Sequence, residues 1–274
     1  MKMYKVVCTD IDGTLLDHNR QLSARTINAF RRLPGGTLVV LASSRMPAAM
    51  RHLQEELGIG NHPIIAYNGG YVIQYSEDGN IRVTNDEQIP LNVVRGILER
   101  AVSSIHISLY HKDEWYVPEF DHWADRESTI TKVNPVIASP DKTLTQWEAE
   151  GKGAHKVMCM GPEADIFELG SVLSEHFASD IHVYRSRPTY LELAPASISK
   201  GKALELLLSQ NKLAMGDALS FGDNYNDIEL LKMCGHGVAV DNAIAEVKAV
   251  AAAITDAGKQ DGVARTLEQL FKLD

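Results

Sequence analysis

Two carboxylates placed two residues apart, at the end of an apolar run, are the first chemistry this sequence offers. Val6-Val7-Cys8-Thr9 leads into Asp10-Ile11-Asp12-Gly13-Thr14. A strand of this kind delivers its acids to the C-terminal edge of an open α/β sheet, where ligands bind. One carboxylate can attack an electrophile and form a covalent acyl-phosphate. The other can protonate a leaving oxygen and later deprotonate water. Two acids this close also suit a hard cation such as Mg²⁺. The competing structural role is an Asp-Gly turn that closes a hairpin.

Three further stations carry groups of matching chemistry. Leu38–Ala42 ends on Ser43-Ser44-Arg45, where a hydroxyl can donate to a phosphoryl oxygen and Arg45 can add charge or bind substrate. Ser43 can equally cap the helix that follows. Ser199-Lys200-Gly201-Lys202 opens a helix whose Ala203, Leu204, Leu206 and Leu207 are expected to pack inward. A lysine there can neutralise a bound phosphoryl group, although spacing leaves open whether Lys200 or Lys202 faces the site. No P-loop is present, because the preceding GxxxxG is missing. Finally, Leu219-Ser220-Phe221-Gly222-Asp223 runs into Asn224-Tyr225-Asn226-Asp227. Asp223 and Asp227 can hold a metal from the side opposite Asp10, and Asn226 offers a neutral donor near a helix start. Capping of that helix by Asp and Asn is the structural alternative.

The elements that must position these groups alternate regularly. After the first strand, Ser23 caps a predicted helix, SARTINAFRRL, with Ile27, Phe30 and Leu33 on one face. TLVVLA follows Pro34-Gly35-Gly36 as a buried parallel strand. Pro47 starts a helix reaching about Gly58, and Pro63–Tyr67 is a third strand, stopped by Asn68-Gly69-Gly70. Strand, helix, strand, helix, strand predicts an α/β fold with a Rossmann-like, doubly wound parallel sheet. The rhythm breaks over 83–188, which holds Trp115, Tyr116, Phe120, Trp123 and Trp147 together with alternating runs such as IHISLYH and KVMCM. That stretch reads as an α+β insert with mainly antiparallel strands. Beyond Tyr190 the rhythm resumes with a helix from Lys200, the strand ALSFGD, a helix from about Asn226, the strand GVAV and the helix AIAEVKAVA. The expected organisation is a core of 1–82 and 189–274 interrupted by a second domain at 83–188.

Taken in this order, the four stations resemble the haloacid dehalogenase superfamily of phosphohydrolases: DIDGT at Asp10–Thr14, ASSR at Ala42–Arg45, SKGKAL at Ser199–Leu204 and GDNYND at Gly222–Asp227. AYNGG at Ala66–Gly70, GVAVDNAIAEVK and the later DGVARTL are similar to the Cof-type subfamily. The resemblance implies a C2-type α/β cap inserted between the second and third motifs. It makes Asp10 the nucleophile and a Mg²⁺ ligand, and Asp12 the general acid/base with its backbone carbonyl on the metal. Ser43 and Lys200 would hold the phosphoryl group, with Asn226 as a further substrate contact. Asp223 would be a metal ligand, and Asp227 would anchor a metal-bound water or Lys200. The family pattern at the second motif is Thr-Gly-Arg, so Ser44 is a departure, with less backbone freedom than glycine. The implied reaction is Mg²⁺-dependent hydrolysis of a small phosphomonoester, a sugar phosphate by family analogy, through an aspartyl-phosphate. A cap can screen substrates by closing over the sheet edge. His111, Trp115, Tyr116 and Trp123 are its candidate contacts, or simply its core.

Composition narrows the field further. The 274 residues suit one large or two modest domains. Hydrophobic residues at 45% and charged residues at 23% describe a globular chain rather than a disordered one. Lys and Arg number 27 against 36 Asp and Glu, a net charge of −9, which argues against nucleic-acid and anionic-membrane partners. The segment MKMYKVVCTDID lacks a secretory pattern, and no run approaches the roughly 20 apolar residues of a spanning helix. Cys8, Cys159 and Cys234 form no CxxC or paired framework, so a cytoplasmic location is expected. The expected partner is a small phosphorylated metabolite, with the chain a monomer or small homo-oligomer. Three rivals remain. A 2-haloacid dehalogenase needs neither Asp12 nor Asp223. A phosphomutase or other phosphotransferase uses the same stations, and a non-catalytic sugar-phosphate-binding protein uses the same fold.

Overall fold

The structure, a computed structural model, describes residues 4–76 and 78–273. The first three residues of the N-terminal segment read above, and the outermost ends of the expected core, lie outside these. The chain divides into two compact units, one made of the segments up to Asn85 and from Ser199, the other of Asp86–Ile198.

The first unit begins with β1 (Val6–Thr9), α1 (Ala24–Arg31), β2 (Leu38–Ala42), α2 (Ala48–Leu57) and β3 (Ile64–Ala66). Ser23 caps α1, accepting from the Thr26 backbone, and Gly58 ends α2 in a left-handed conformation. β4 (Tyr71–Tyr75) turns back antiparallel to β3, and β5 (Ile81–Asp86) lies next to it. The second unit contains α3 (Leu91–Arg100), β6 (His106–His111), β7 (Glu114–Val117), α4 (His122–Thr131), β8 (Val136–Ile137), α5 (Pro140–Glu150), β9 (Lys156–Met160), α6 (Glu163–His176), β10 (Ile181–Arg187) and β11 (Tyr190–Pro195). The chain then completes the first unit with α7 (Lys200–Gln210), β12 (Ala218–Gly222), α8 (Ile228–Met233), β13 (His236–Val240), α9 (Ala245–Val250), β14 (Ala253–Thr255) and α10 (Gly262–Phe271).

Among the described residues the larger sheet has the order β14-β13-β12-β1-β2-β3-β4-β5, parallel from β14 to β3. β1 is central, so both of its faces need cover. Val6 and Cys8 join Val40 and Ala42 of β2, Ala203, Leu204, Leu207 and Leu208 of α7, and Leu230 and Leu231 of α8 in one apolar cluster. Leu206, expected to pack inward, instead lies on the outer face of α7 and is exposed. Val7, Val39 and Leu41 point to the opposite face and are buried as well. Each aliphatic side chain so buried contributes about 1.5–3 kcal/mol relative to exposure. This is the α/β, doubly wound architecture expected from the alternation, with a short antiparallel edge that the sequence reading left unassigned.

The second unit carries its own sheet, ordered β10-β11-β9-β6-β7-β8. Ile107, Leu109, Tyr116, Val157, Cys159, Leu191 and Leu193 form its core with Trp147 of α5 and Ile166 and Leu169 of α6. Its bounds are shifted from the expected 83–188: it begins only at Asp86, because Ile81–Asp86 forms β5 of the larger sheet, and it runs on to Ile198. Tyr190–Pro195, expected to belong to the core, pairs antiparallel with both β9 and β10. Alternating Tyr190, Leu191, Glu192 and Leu193 suit this two-faced sheet. Of the four candidate contact residues, Tyr116 lies in the apolar core and Trp115 is buried in a stack on Tyr110. His111, also buried, donates from Nδ1 to the Gly153 carbonyl, and Trp123 meets the Tyr190 ring edge-on.

His155 is fully buried, with Nδ1 accepting from the Lys112 backbone N–H and Nε2 facing Asp86 at 3.0 Å. The Lys112 bond fixes the neutral tautomer with its proton on Nε2, so His155 donates to Asp86. Burial pushes the imidazole pKa down despite Asp86, and the His155 bond pulls Asp86 below the usual carboxylate range. The unfolded chain therefore binds protons first, so stability is lost as pH falls through the unfolded histidine pKa, about 6.5. All three tryptophans lie in this unit. The urea midpoint followed by tryptophan fluorescence should fall between pH 7 and pH 5, and His155→Gln should flatten that decline. A midpoint that rises toward pH 5 contradicts the neutral assignment.

Candidate active site

Sheet register places the acids. β1 pairs with β12 so that Thr9 lies opposite Phe221, and with β2 so that Thr9 lies opposite Leu41. Asp10, Ser43 and Asp223 therefore leave adjacent strand ends, on the same edge of the sheet, about 4.8 Å apart from strand to strand. The Asp10 backbone N–H extends the ladder by donating to Phe221. Parallel strands make this edge the place where three carboxyl-terminal loops converge.

Lys200 completes the group from below. Ser199 caps α7 by accepting from the Lys202 N–H, which leaves Lys200 as the first helical residue. Its side chain has no exposed surface, and its ammonium donates to Asp10 Oδ1 at 2.5 Å and Asp227 Oδ1 at 2.7 Å. Lys202 is exposed, so of the two lysines it is Lys200 that meets the acids. Burial alone would strip the proton from Lys200, but Asp10 and Asp227 hold it on. Asp10 moves upward, because burial and the charges of Asp227 and Asp223 outweigh the lysine.

The loop after β12 is tighter than the helix expected from about Asn226. Asp227 Oδ2 accepts the backbone N–H groups of Asp223 and Asn224, so Tyr225–Asp227 forms a short 3₁₀ turn and α8 starts only at Ile228. Both Asp227 oxygens are thereby engaged, one with Lys200 and one with the turn. Asp223 accepts from the Thr14 hydroxyl at 2.8 Å, and burial followed by the Asp227 charge raises its pKa to about 6. Gly13 sits against this carboxylate at φ +92°, where any Cβ would strike Asp223. The glycine of the Asp-Gly pair thus serves a close approach between two loops. Thr14 and Asn242, whose Nδ2 donates to the Gly13 carbonyl, are supporting residues that no spacing rule singled out.

Asp10, Asp223 and Asp227 each present an oxygen within 4.8 Å of the others. Against three carboxylates stands one ammonium, leaving an excess of two negative charges, and Asp10 Oδ2 is buried with no donor facing it. An all-oxygen set with that balance fits a hard divalent cation. The Asp12 carboxylate is elsewhere. Arg45 grips it with Nε at 2.7 Å and Nη2 at 2.8 Å, and Arg20 lies 3.7 Å away. Burial would raise Asp12, but the hydrogen bonds and charge of Arg45 hold it below the usual carboxylate range. Arg45, expected to meet a substrate anion, is committed to Asp12 and the Ala49 carbonyl. Its planar fork matches a carboxylate bidentately.

Ser43 is buried, and its Oγ accepts from the Arg45 N–H at 3.2 Å. Its hydroxyl proton remains available to an anion. Ser44, which stands where the resemblance implies a glycine, has no positive φ, so the serine there carries no left-handed backbone strain. Asn226 Nδ2 donates to Asn68 Oδ1 at 2.9 Å. In the sequence Asn68 figures as a turn signal and as part of the AYNGG resemblance, with no role at the site.

A profile of haloacid dehalogenase-like hydrolases matches residues 7–267. The chain belongs to this family. A haloacid dehalogenase-like hydrolase from Bacteroides thetaiotaomicron superposes with a TM-score of 0.86 at 29% identity, covering 98% of this chain and all of the other. TM0651 from Thermotoga maritima gives 0.85 at 30% identity over 97% of each chain. A Yersinia enterocolitica relative, HMP-PP phosphatase, is 28% identical over 90% of this chain and 87% of its own. Within this haloacid dehalogenase-like hydrolase, removing the buried lysine leaves two acids without their counter-charge. Lys200→Met should therefore destabilise the protein by about 3–5 kcal/mol in denaturant titrations. An unchanged midpoint would show that the pairing carries no such weight.

Proposed function

We propose that the chain is a Mg²⁺-dependent phosphatase of small phosphomonoesters that works through an aspartyl-phosphate on Asp10. One observation carries the reading. Asp10 is held by Lys200 through one oxygen, while the other faces no donor, at the edge where Ser43 and Asp223 converge. The bound oxygen fixes the carboxylate, and the second is the one left to attack.

In this reading Asp10 and Asp223 hold Mg²⁺, with the Asp12 backbone carbonyl as the third ligand from the chain implied by the motif. Asp227 supports them by orienting Lys200 and the Asp223 loop. When bound, the ion offsets charge on the phosphoryl oxygens and on the attacking carboxylate. Asp10 forms a bond to phosphorus as the ester P–O bond breaks, and a protonated Asp12 gives its proton to the departing alkoxide. Asp12 then takes a proton from water as the hydroxide oxygen bonds phosphorus and the Asp10–phosphorus bond breaks. To act as an acid, Asp12 must free one oxygen from the Arg45 fork and take up a proton. Lys200, the Ser43 hydroxyl and the Asn226 amide steady the phosphoryl oxygens. Arg45 contributes by orienting Asp12 rather than by touching the anion.

A sugar phosphate or related phosphorylated metabolite is the proposed substrate class, and the compound in the Yersinia relative's name adds HMP-PP to the panel. The reading includes a cytoplasmic monomer or small homo-oligomer with neither nucleic acid nor membrane as partner. The net charge of −9 supports the exclusion of nucleic-acid and anionic-membrane partners, and among the described residues no helix is long and apolar enough to cross a membrane.

With p-nitrophenyl phosphate and Mg²⁺, the chain should release inorganic phosphate, and Asp10→Asn should lower turnover by about a thousandfold or more with the fold intact. Chelation should abolish turnover and Mg²⁺ should restore it. An Asp10→Asn variant with most of its activity would overturn the covalent scheme. Phosphate retained on a second organic product would instead make the chain a phosphotransferase. No turnover across a broad panel would leave a binding protein.

A further inference from the structure

Immediately after β3 the chain makes a turn that neither β propensity nor an ordinary loop requires. Tyr67, Asn68 and Gly69 have φ of 51°, 57° and 110° in succession, and all three are buried. A left-handed backbone is cheap for glycine, tolerable for asparagine and costly for tyrosine. Strain of this kind persists only where the surroundings over-determine it.

The turn's contacts supply the reason. The Tyr67 N–H donates to the Arg45 carbonyl at 3.1 Å and the Asn68 N–H to the Ser43 carbonyl at 2.8 Å. Both bonds hold the loop that carries Ser43. Gly69 lies against α7, where a Cβ would come within 2.6 Å of the Ser199 carbonyl, the residue that caps the helix bearing Lys200. The Asn68 side chain pairs with the amide of Asn226. One three-residue turn thus touches the supports of Ser43, Lys200 and Asn226 together.

We propose that Asn68 is a positioning residue of the anion site: its amide fixes the Asn226 side chain, and its backbone ties that amide to the Ser43 loop. The inference rests on the phosphatase reading, since it concerns the groups assigned to the phosphoryl oxygens. Asn226 is only half-buried and sits on a short turn, so the Asn68 pair is what limits its rotamers. The buried asparagine is chosen for its side chain, because glycine alone would meet the backbone requirement.

Asn68→Gly separates the two roles, since glycine keeps the left-handed backbone and removes the amide. Wild type, Asn68→Gly, Asn226→Ala and the double variant should be compared with p-nitrophenyl phosphate and Mg²⁺, and with inorganic phosphate as competitive inhibitor. Asn68→Gly should raise KM and the phosphate inhibition constant together by roughly tenfold, with kcat changed less than about threefold, the pattern of lost uniform binding. The double variant should be no worse than Asn226→Ala, because Asn68 acts through Asn226. A merely structural role would lower kcat through a smaller folded fraction and leave the phosphate constant unchanged. That result overturns the proposal, as does a double variant whose losses multiply. Wild-type turnover with an unaltered Asn68→Gly variant sinks only the positioning role. A wild-type chain that neither hydrolyses phosphomonoesters nor binds phosphate sinks the phosphatase reading itself.

Discussion

Three acids crowd one end of the larger sheet, and the ammonium of Lys200 is what allows them to stay there. At an effective dielectric near 20, two like charges about 4.8 Å apart repel by roughly 3–4 kcal/mol. Asp10, Asp223 and Asp227 would disperse or remain protonated without compensation. Lys200 meets this by bridging Asp10 and Asp227 from a helix start that Ser199 fixes. Burial, with the Asp227 charge added to it, still pushes the Asp223 pKa to about 6. The site therefore holds its acids under electrostatic tension that one cation relieves in part and a second can relieve further.

The other acid is treated in the opposite way. Asp12 is drawn out of the cluster by the bidentate Arg45 contact and kept ionised. Two carboxylates only two residues apart thus live in different fields, one pushed up and one held down, a separation suited to different chemical roles. The net charge of the whole chain says little about this. Local pairing decides what each acid does, and an acidic protein can present a site for an anion once the cations stand at the right strand ends.

Much of this was legible because parallel sheets obey a strong rule. Apolar runs followed by polar residues mark strand ends, and strand ends share an edge, so the sequence alone places Asp10, Ser43 and Asp223 near one another. The N-cap of α1 at Ser23 and the C-cap of α2 at Gly58 were legible for equally local reasons. What escaped was tertiary. Arg45 sits beside Ser43 in sequence, yet its partner is 33 residues away, and nothing in a serine-serine-arginine run distinguishes a grip on Asp12 from a grip on a ligand. Tyr190–Pro195 was assigned to the wrong unit because it lies beyond the aromatic-rich stretch, although its alternation fits the smaller sheet. Asn68 was visible as a turn former, but the turn's left-handed tyrosine has no sequence signature.

The threading of the chain has a consequence for how the protein is made. β1 finds one of its two neighbours, β12, more than 200 residues later, and Lys200 bonds an acid 190 residues before it. Asp86–Ile198, by contrast, is one uninterrupted stretch with a core of its own. During synthesis the inserted stretch can gather its core while the first strands still wait with one edge open. The three clustered acids therefore cannot come together until β12 has left the ribosome, late in synthesis.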